Sequence, residues 1–219
     1  GQPGNLLGGM GSALAWAGGD VFLALPDRGP NAAPYNTALS DTASYIPRFH
    51  TLRMQLAASA PGSDLPLQLT PQLQSTTLLS SATPLVYGNG VAQGVGSGAP
   101  SLNSQRNRYY FSGRSDNFNP SAPSTASTDA RLDPEGLRVG PGGSYVYLTD
   151  EYGPYVYRFD RRTGIRANAY ALPSGYAIAH LDANGDNEIA NNTVGRVANK
   201  GMEGLALTPN GAFLYGAMQ

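Results

Sequence analysis

Cysteine is absent from this 219-residue chain. That removes disulfide frameworks, cysteine-based zinc sites, thiol nucleophiles and iron–sulfur clusters. Lysine is nearly absent too: Lys200 is the only one, so the rest of the 14 basic residues are arginine. Arginine reads planar anions such as carboxylate and phosphate through its fork of donors, although GC-rich codon usage gives the same bias. Charge of either sign is scarce, at 13% of residues, against about 25% in a typical soluble domain. The net charge of -1 leaves no basic field, which argues against nonspecific nucleic-acid binding. No apolar run approaches the ~20 residues of a membrane-spanning helix. The start, Gly1-Gln2-Pro3-Gly4-Asn5, has neither a basic segment nor an apolar one of the kind that opens a signal peptide. The expectation is a cytoplasmic protein, or an exported one whose signal peptide is not in this chain; the lack of cysteine fits a bacterial periplasmic or secreted setting.

Several catalytic signatures are missing as well. There is no Gly-x-Ser-x-Gly, so a serine-esterase elbow has no support, and no phosphate-binding Gly-x-x-x-x-Gly-Lys-Ser/Thr. The two histidines, His50 and His180, lack metal-ligand spacing and read as packed or surface residues. Asn191-Asn192-Thr193 fits a glycosylation sequon, which matters only in a eukaryotic secretory host.

Glycine (28) and proline (17) are plentiful, and 13 Tyr and 6 Phe supply bulky core material. This composition excludes a coiled coil and favours many short strands joined by turns. Two strands, 13–16 and 21–25, flank a Gly-Gly turn, and a third covers 48–56. Residues 57–130 are the least legible, rich in Ser, Thr, Ala, Pro, Gly and Asn with apolar pieces such as Leu65-Pro66-Leu67 and Leu85-Val86-Tyr87, and part of the stretch reads as long loop. Gly88-Asn89-Gly90 and Gly94-Val95-Gly96 suggest flexibility there. From residue 133 the pattern sharpens into strands over 135–139, 145–149 and 155–159, then 202–207 and 213–215.

These segments resemble one another. Glu135-Gly136-Leu137 aligns with Glu203-Gly204-Leu205 without a gap through the next turn and strand, and Ser12-Ala13-Leu14 onward aligns with one deletion. A repeated strand, Pro/Gly turn, strand and acidic end is the signature of a propeller blade. The predicted fold is therefore all-β, a β-propeller of short antiparallel blades, in preference to a sandwich built from similar hairpins. Residues 1–219 read as one domain, part of a longer one, because the last repeat stops after its second strand. A further segment or second chain is expected to complete the ring.

Asp27-Arg28-Gly29-Pro30, Asp133-Pro134-Glu135-Gly136, Asp150-Glu151-Tyr152-Gly153-Pro154 with Tyr157-Arg158-Phe159-Asp160, and Gly201-Met202-Glu203-Gly204-Leu205 stand in this order in the chain. In these motifs the sequence resembles the phytase-like family, also described as esterase-like activity of phytase. The resemblance covers about residues 8–56 and 131–219. It implies a β-propeller commonly exported from bacteria, with acidic residues suspected of metal-assisted phosphate-ester chemistry. The family domain is longer than this chain.

Equivalent positions of a propeller converge on its central channel, so carboxylates from different blades can meet there and bind calcium, a hard cation that prefers oxygen ligands. On that reading Glu135, Glu151 and Glu203 are the candidate catalytic residues, and Asp27 and Asp150 candidate metal ligands. Arg28 and Arg158 are the candidates for holding the phosphate of a small phosphorylated substrate, with Arg158 the more structural of the two. Asp133 and Asp160 read as turn residues. Asp182, Asn184 and Asp186 match the first, third and fifth positions of an EF-hand loop. Asn187 stands where that loop has Gly and Thr193 where it has its bidentate Glu, so a weaker calcium loop competes with a plain polar turn. The expected activity is hydrolysis of a phosphate ester by metal-assisted attack of water. The rivals are a noncatalytic scaffold or binding module of the bacterial envelope, and an enzyme acting on a sugar or lactone.

Overall fold

The computed structural model describes residues 10–29, 39–40, 45–87, 104–105, 107–153, 155–195, 197 and 199–219. The sequence features at 1–5, Pro30, 88–90, 94–96 and Pro154 lie outside them. Among the described residues thirteen strands form four sheets. The first is a four-stranded antiparallel meander of β1 (Met10–Trp16), β2 (Val21–Pro26), β3 (Arg48–Ala58) and β4 (Leu67–Leu78). A small three-stranded sheet follows, from β5 (Ser80–Ser81), β6 (Ser104–Gln105) and β7 (Arg108–Tyr110). The second four-stranded meander contains β8 (Pro134–Val139), β9 (Tyr145–Asp150), β10 (Tyr155–Asp160) and β11 (Arg166–Ala171). A helix, α1 (Gly185–Asn191), precedes the two-stranded sheet of β12 (Met202–Leu207) and β13 (Leu214–Met218).

In both meanders sequence neighbours pair with each other in space, which is how a propeller blade is wound. The fold is all-β and propeller-like. First strands lie together: β8 packs against β1 on one side and β12 on the other. The second meander is covered on both faces as a result. Leu137, Val146, Leu148, Tyr155, Tyr157 and Phe159 join Leu23, Leu25 and Phe49 of the first meander in the main core. On the opposite face Val156 packs with Met202 and Leu205. Alternation along β10 sends its aromatic residues to one side. There Tyr155 and Tyr157 lie 5.4 Å apart, Tyr157 and Phe159 5.9 Å, and Phe111 meets Phe159 edge-on at 5.8 Å.

The region expected to be loop contains a 12-residue strand. β4 pairs with β3 from Arg48–Leu78 out to Ala58–Leu67, beyond the reach of β2, which pairs only as far as Arg53. Pro71 within Leu67-Gln68-Leu69-Thr70-Pro71-Gln72-Leu73 argues against a central strand. β4 is the sheet edge, the place in a sheet where proline is tolerated.

Candidate functional site

The acidic residues come from the ends of the inner strands. Asp27 and Arg28 follow β2, Asp133 and Glu135 stand at the start of β8, Asp150 and Glu151 at the end of β9, and Glu203 at the start of β12. One carboxylate oxygen from each of Asp27, Asp133 and Glu135 lies within 4.8 Å of the others. Asp133 and Glu135 are two residues apart on extended chain, which turns both to the same side. The Ser12 hydroxyl, in β1, hydrogen-bonds Glu135.

Arg28 is the counter-charge. Its Nη1 donates to Asp133 Oδ2 at 2.6 Å, and its backbone N–H donates to Asp27 Oδ1. The second oxygen of Asp133 and the Nε of Arg28 are buried without a hydrogen-bond partner. Asp150 Oδ1 accepts from the N–H groups of Asp133 (3.0 Å) and Tyr152 (3.1 Å), tying the loop before β8 to the end of β9. The Glu151 N–H donates to the Asp133 carbonyl at 2.8 Å, and Glu151 Oε1 accepts from the Gly201 N–H at 3.3 Å. Residue 201 must be glycine for this approach, since a Cβ there would stand 2.7 Å from the Glu151 Cα. Gly113 does the same for Arg28, because a Cβ at 113 would collide with the Arg28 carbonyl.

One arginine does not balance so many acids. Burial pushes the Glu135 carboxyl up to about 8, helped by the charges of Asp27, Glu203 and Glu151. Burial likewise holds Asp133 well above the usual carboxylate range; Arg28 opposes the shift, while Asp27 and Glu151 add to it. Glu203 is raised by burial and by Glu151 and Asp27. Burial works to lower the Arg28 pKa, but Tyr152, Asp133 and Asp27 overcome it and raise it above its ordinary value. Arg28 therefore stays charged, and the carboxyls compete for protons.

Beside the cluster opens a cleft of about 340 Å³. Arg28, Arg131, Asp133, Glu151 and Tyr152 line it, together with residues of the segment 182–189 leading into α1. The structure thus brings together Asp27, Arg28, Glu135, Glu151 and Glu203 among the residues singled out in the sequence. Asp150 supports the loop through the backbone bonds above. Asp182, Asn184 and Asp186 line the cleft at the start of α1. Asn184 Oδ1 accepts from the N–H groups of Asp186 (2.9 Å) and Asn187 (3.3 Å), the geometry of a helix cap, and Asp182 Oδ1 accepts from Asn184 N–H at 2.7 Å. Arg158 is placed away from this site. It sits mid-sheet on β10, donates to Asn168 Oδ1 at 2.5 Å on β11 and lies 4.6 Å over the Tyr145 ring. His50 is buried against Thr76, and His180 is exposed. Asp160 is a turn residue, accepting from Thr163 N–H at 2.8 Å.

Asp133 is the residue that a turn reading misses; its two-residue offset from Glu135 was the available signal. No pattern in the sequence marked Arg131.

The family described as esterase-like activity of phytase matches residues 5–219. The chain belongs to the phytase-like family. An "Uncharacterized secreted protein" of Arthroderma benhamiae is 34% identical over 103 residues, covering 40% of this chain and 19% of that protein. A crystal structure from Bacteroides uniformis, provisionally assigned as a 6-phosphogluconolactonase, is 13% identical with a TM-score of 0.34, over 94% of this chain and 50% of the other. The chain thus spans about a fifth of the curated relative and half of the solved chain. Among the described residues no helix is long and apolar enough to cross a membrane.

Proposed function

We propose that this phytase-like chain is part of an exported hydrolase that cleaves a phosphate ester with the help of a divalent cation, calcium being the best fit to its donors. The observation that carries the reading is the triad of buried Asp133 with half-buried Asp27 and Glu135, crowded within 4.8 Å and undercompensated by Arg28. All three offer hard carboxylate oxygens, the donor set calcium prefers. The partnerless buried oxygen of Asp133 and the raised pKa of Glu135 are what a site short of positive charge displays. Asp27, Asp133 and Glu135 would hold the cation, which when bound supplies a Lewis acid for a phosphoryl oxygen and lowers the pKa of a water.

The chain's own groups do the rest. Arg28 lines the cleft, stays charged and has an uncommitted Nε donor, so it binds a phosphoryl oxygen and orients the ester. Glu203 is only half-buried, and burial with the charges of Glu151 and Asp27 raises its pKa, the direction that suits a carboxyl exchanging a proton with the reacting water. Glu151 lines the cleft and holds Gly201, just before β12, in place. Export is supported by the secreted relative. Both periplasmic release from a bacterium and a small phosphorylated substrate belong to the proposal.

A second reading, a noncatalytic scaffold, draws on the bonds of Asp150 and Glu151, which fasten successive strands whatever the chemistry. The deciding assay uses full-length protein with a generic phosphomonoester and a phosphodiester, first with calcium and then with chelator. Hydrolysis that disappears with chelator and in Glu203→Gln supports the hydrolase. Folded protein without activity in either buffer supports the scaffold.

A further inference from the structure

A second guanidinium, that of Arg131, lines the same cleft as Arg28. Arg131 is 4% exposed, and no strong ion pair accounts for it. Its Nη1 donates to the Ser115 carbonyl at 3.1 Å, and the closest carboxylate oxygen, Glu188 Oε2, is 3.8 Å away. That oxygen already accepts the Asp182 N–H at 3.1 Å. The Nη2 of Arg131 has no acceptor at all. Aromatic rings hold the group flat: its Cζ lies 4.4 Å over Phe118 and 5.1 Å over Tyr152. A rigid, stacked guanidinium with an open donor is built for a planar or tetrahedral oxyanion.

Resting on the hydrolase reading, we propose that Arg131 is a specificity-determining residue, closing with Arg28 on the substrate's phosphoryl group. The two guanidiniums line one cleft, and each carries a buried donor without an acceptor. Five acidic side chains also line that cleft, among them Asp133 and Glu151. An anion therefore enters only where both arginines face it and a cation offsets the acids. Glu188 is the competitor for Arg131, and the incoming phosphoryl group displaces its weak hold.

The test is titration of inorganic phosphate into full-length protein, calcium-loaded and chelated, read by calorimetry. In the calcium-loaded protein, Arg131→Gln is expected to weaken phosphate about tenfold or more, with Arg131→Lys in between because an ammonium lacks the fork. Equal affinity in folded Arg131 variants, or no phosphate binding by the wild type, overturns the proposal. If Arg131→Gln does not fold, Glu188→Gln decides: freeing Arg131 is expected to tighten phosphate several-fold, and unchanged or weaker binding overturns it. Arg131-dependent phosphate binding without hydrolysis leaves the anion site standing and removes the hydrolase. Hydrolysis with an unchanged KM in Arg131→Lys does the reverse.

Discussion

Glu135 carries the plainest consequence of the crowded acids. Its folded pKa, about 8, lies above that of an unfolded glutamate. The native state therefore holds a proton that the unfolded state has released, and stability falls as pH rises from about 4.5 through 8. Glu203 and Asp133 shift in the same direction, and Asp129, raised by burial to about 6, adds to the lower part of the window. Denaturant melts across this range, without added cation, should show falling stability. Glu135→Gln should flatten the slope, and a wild-type slope of zero would mean that the carboxyls are not coupled. Gly113 makes a second residue-scale prediction. Because a Cβ there meets the Arg28 carbonyl, Gly113→Ala should cost about 1–3 kcal/mol and loosen Arg28, read as a fall in both denaturation midpoint and phosphate affinity. At this scale the sequence displayed Glu135, Glu151 and Glu203 through their repeat, and Asp27 and Arg28 through their motif. It hid Asp133 behind a turn-like Asp-Pro. Arg131 was invisible because its partners, Phe118 and Tyr152, are brought to it only by the tertiary fold.

Elements were legible where hydrophobic alternation was strong. β1, β2, β8, β9, β10 and β12 match their sequence readings to within a few residues, since each buries one or both faces against a neighbour. β4 was not legible because almost nothing covers it: Leu67, Leu69 and Leu73 are each more than half exposed, so alternation there serves pairing rather than burial. The outer part of the β3–β4 hairpin should therefore open first. Hydrogen exchange should be fast for residues 54–58 and 67–71 and slow across β9 and β10, and equal protection would contradict the burial pattern. α1 was hidden by its acidic loop. The Asp-x-Asn-x-Asp spacing that suggests calcium ligation also makes a turn and a helix cap, in which Asn184 accepts two backbone N–H groups. Asn184→Ala should cost about 1 kcal/mol in chemical denaturation.

For the whole molecule, the site exists only because blades meet. Asp27 comes from the first meander, Asp133 and Glu135 from the second, and Glu203 from the β12–β13 sheet. Burying such a set is unfavourable for folding alone, and a cation would convert that liability into mutual attraction. The blade repeat was visible in sequence, and the stacking of first strands followed from it. The cleft was not, since much of its lining comes from the segment after β11, which carries no repeat. The most direct measurement is calcium titration into full-length protein at pH 7 by calorimetry, in two buffers of different ionisation enthalpy. The account predicts binding that releases about one proton per ion, taken from carboxyls such as Glu135, and that weakens at least tenfold in Asp133→Asn. No binding heat in either buffer, or the same affinity in Asp133→Asn, would contradict it.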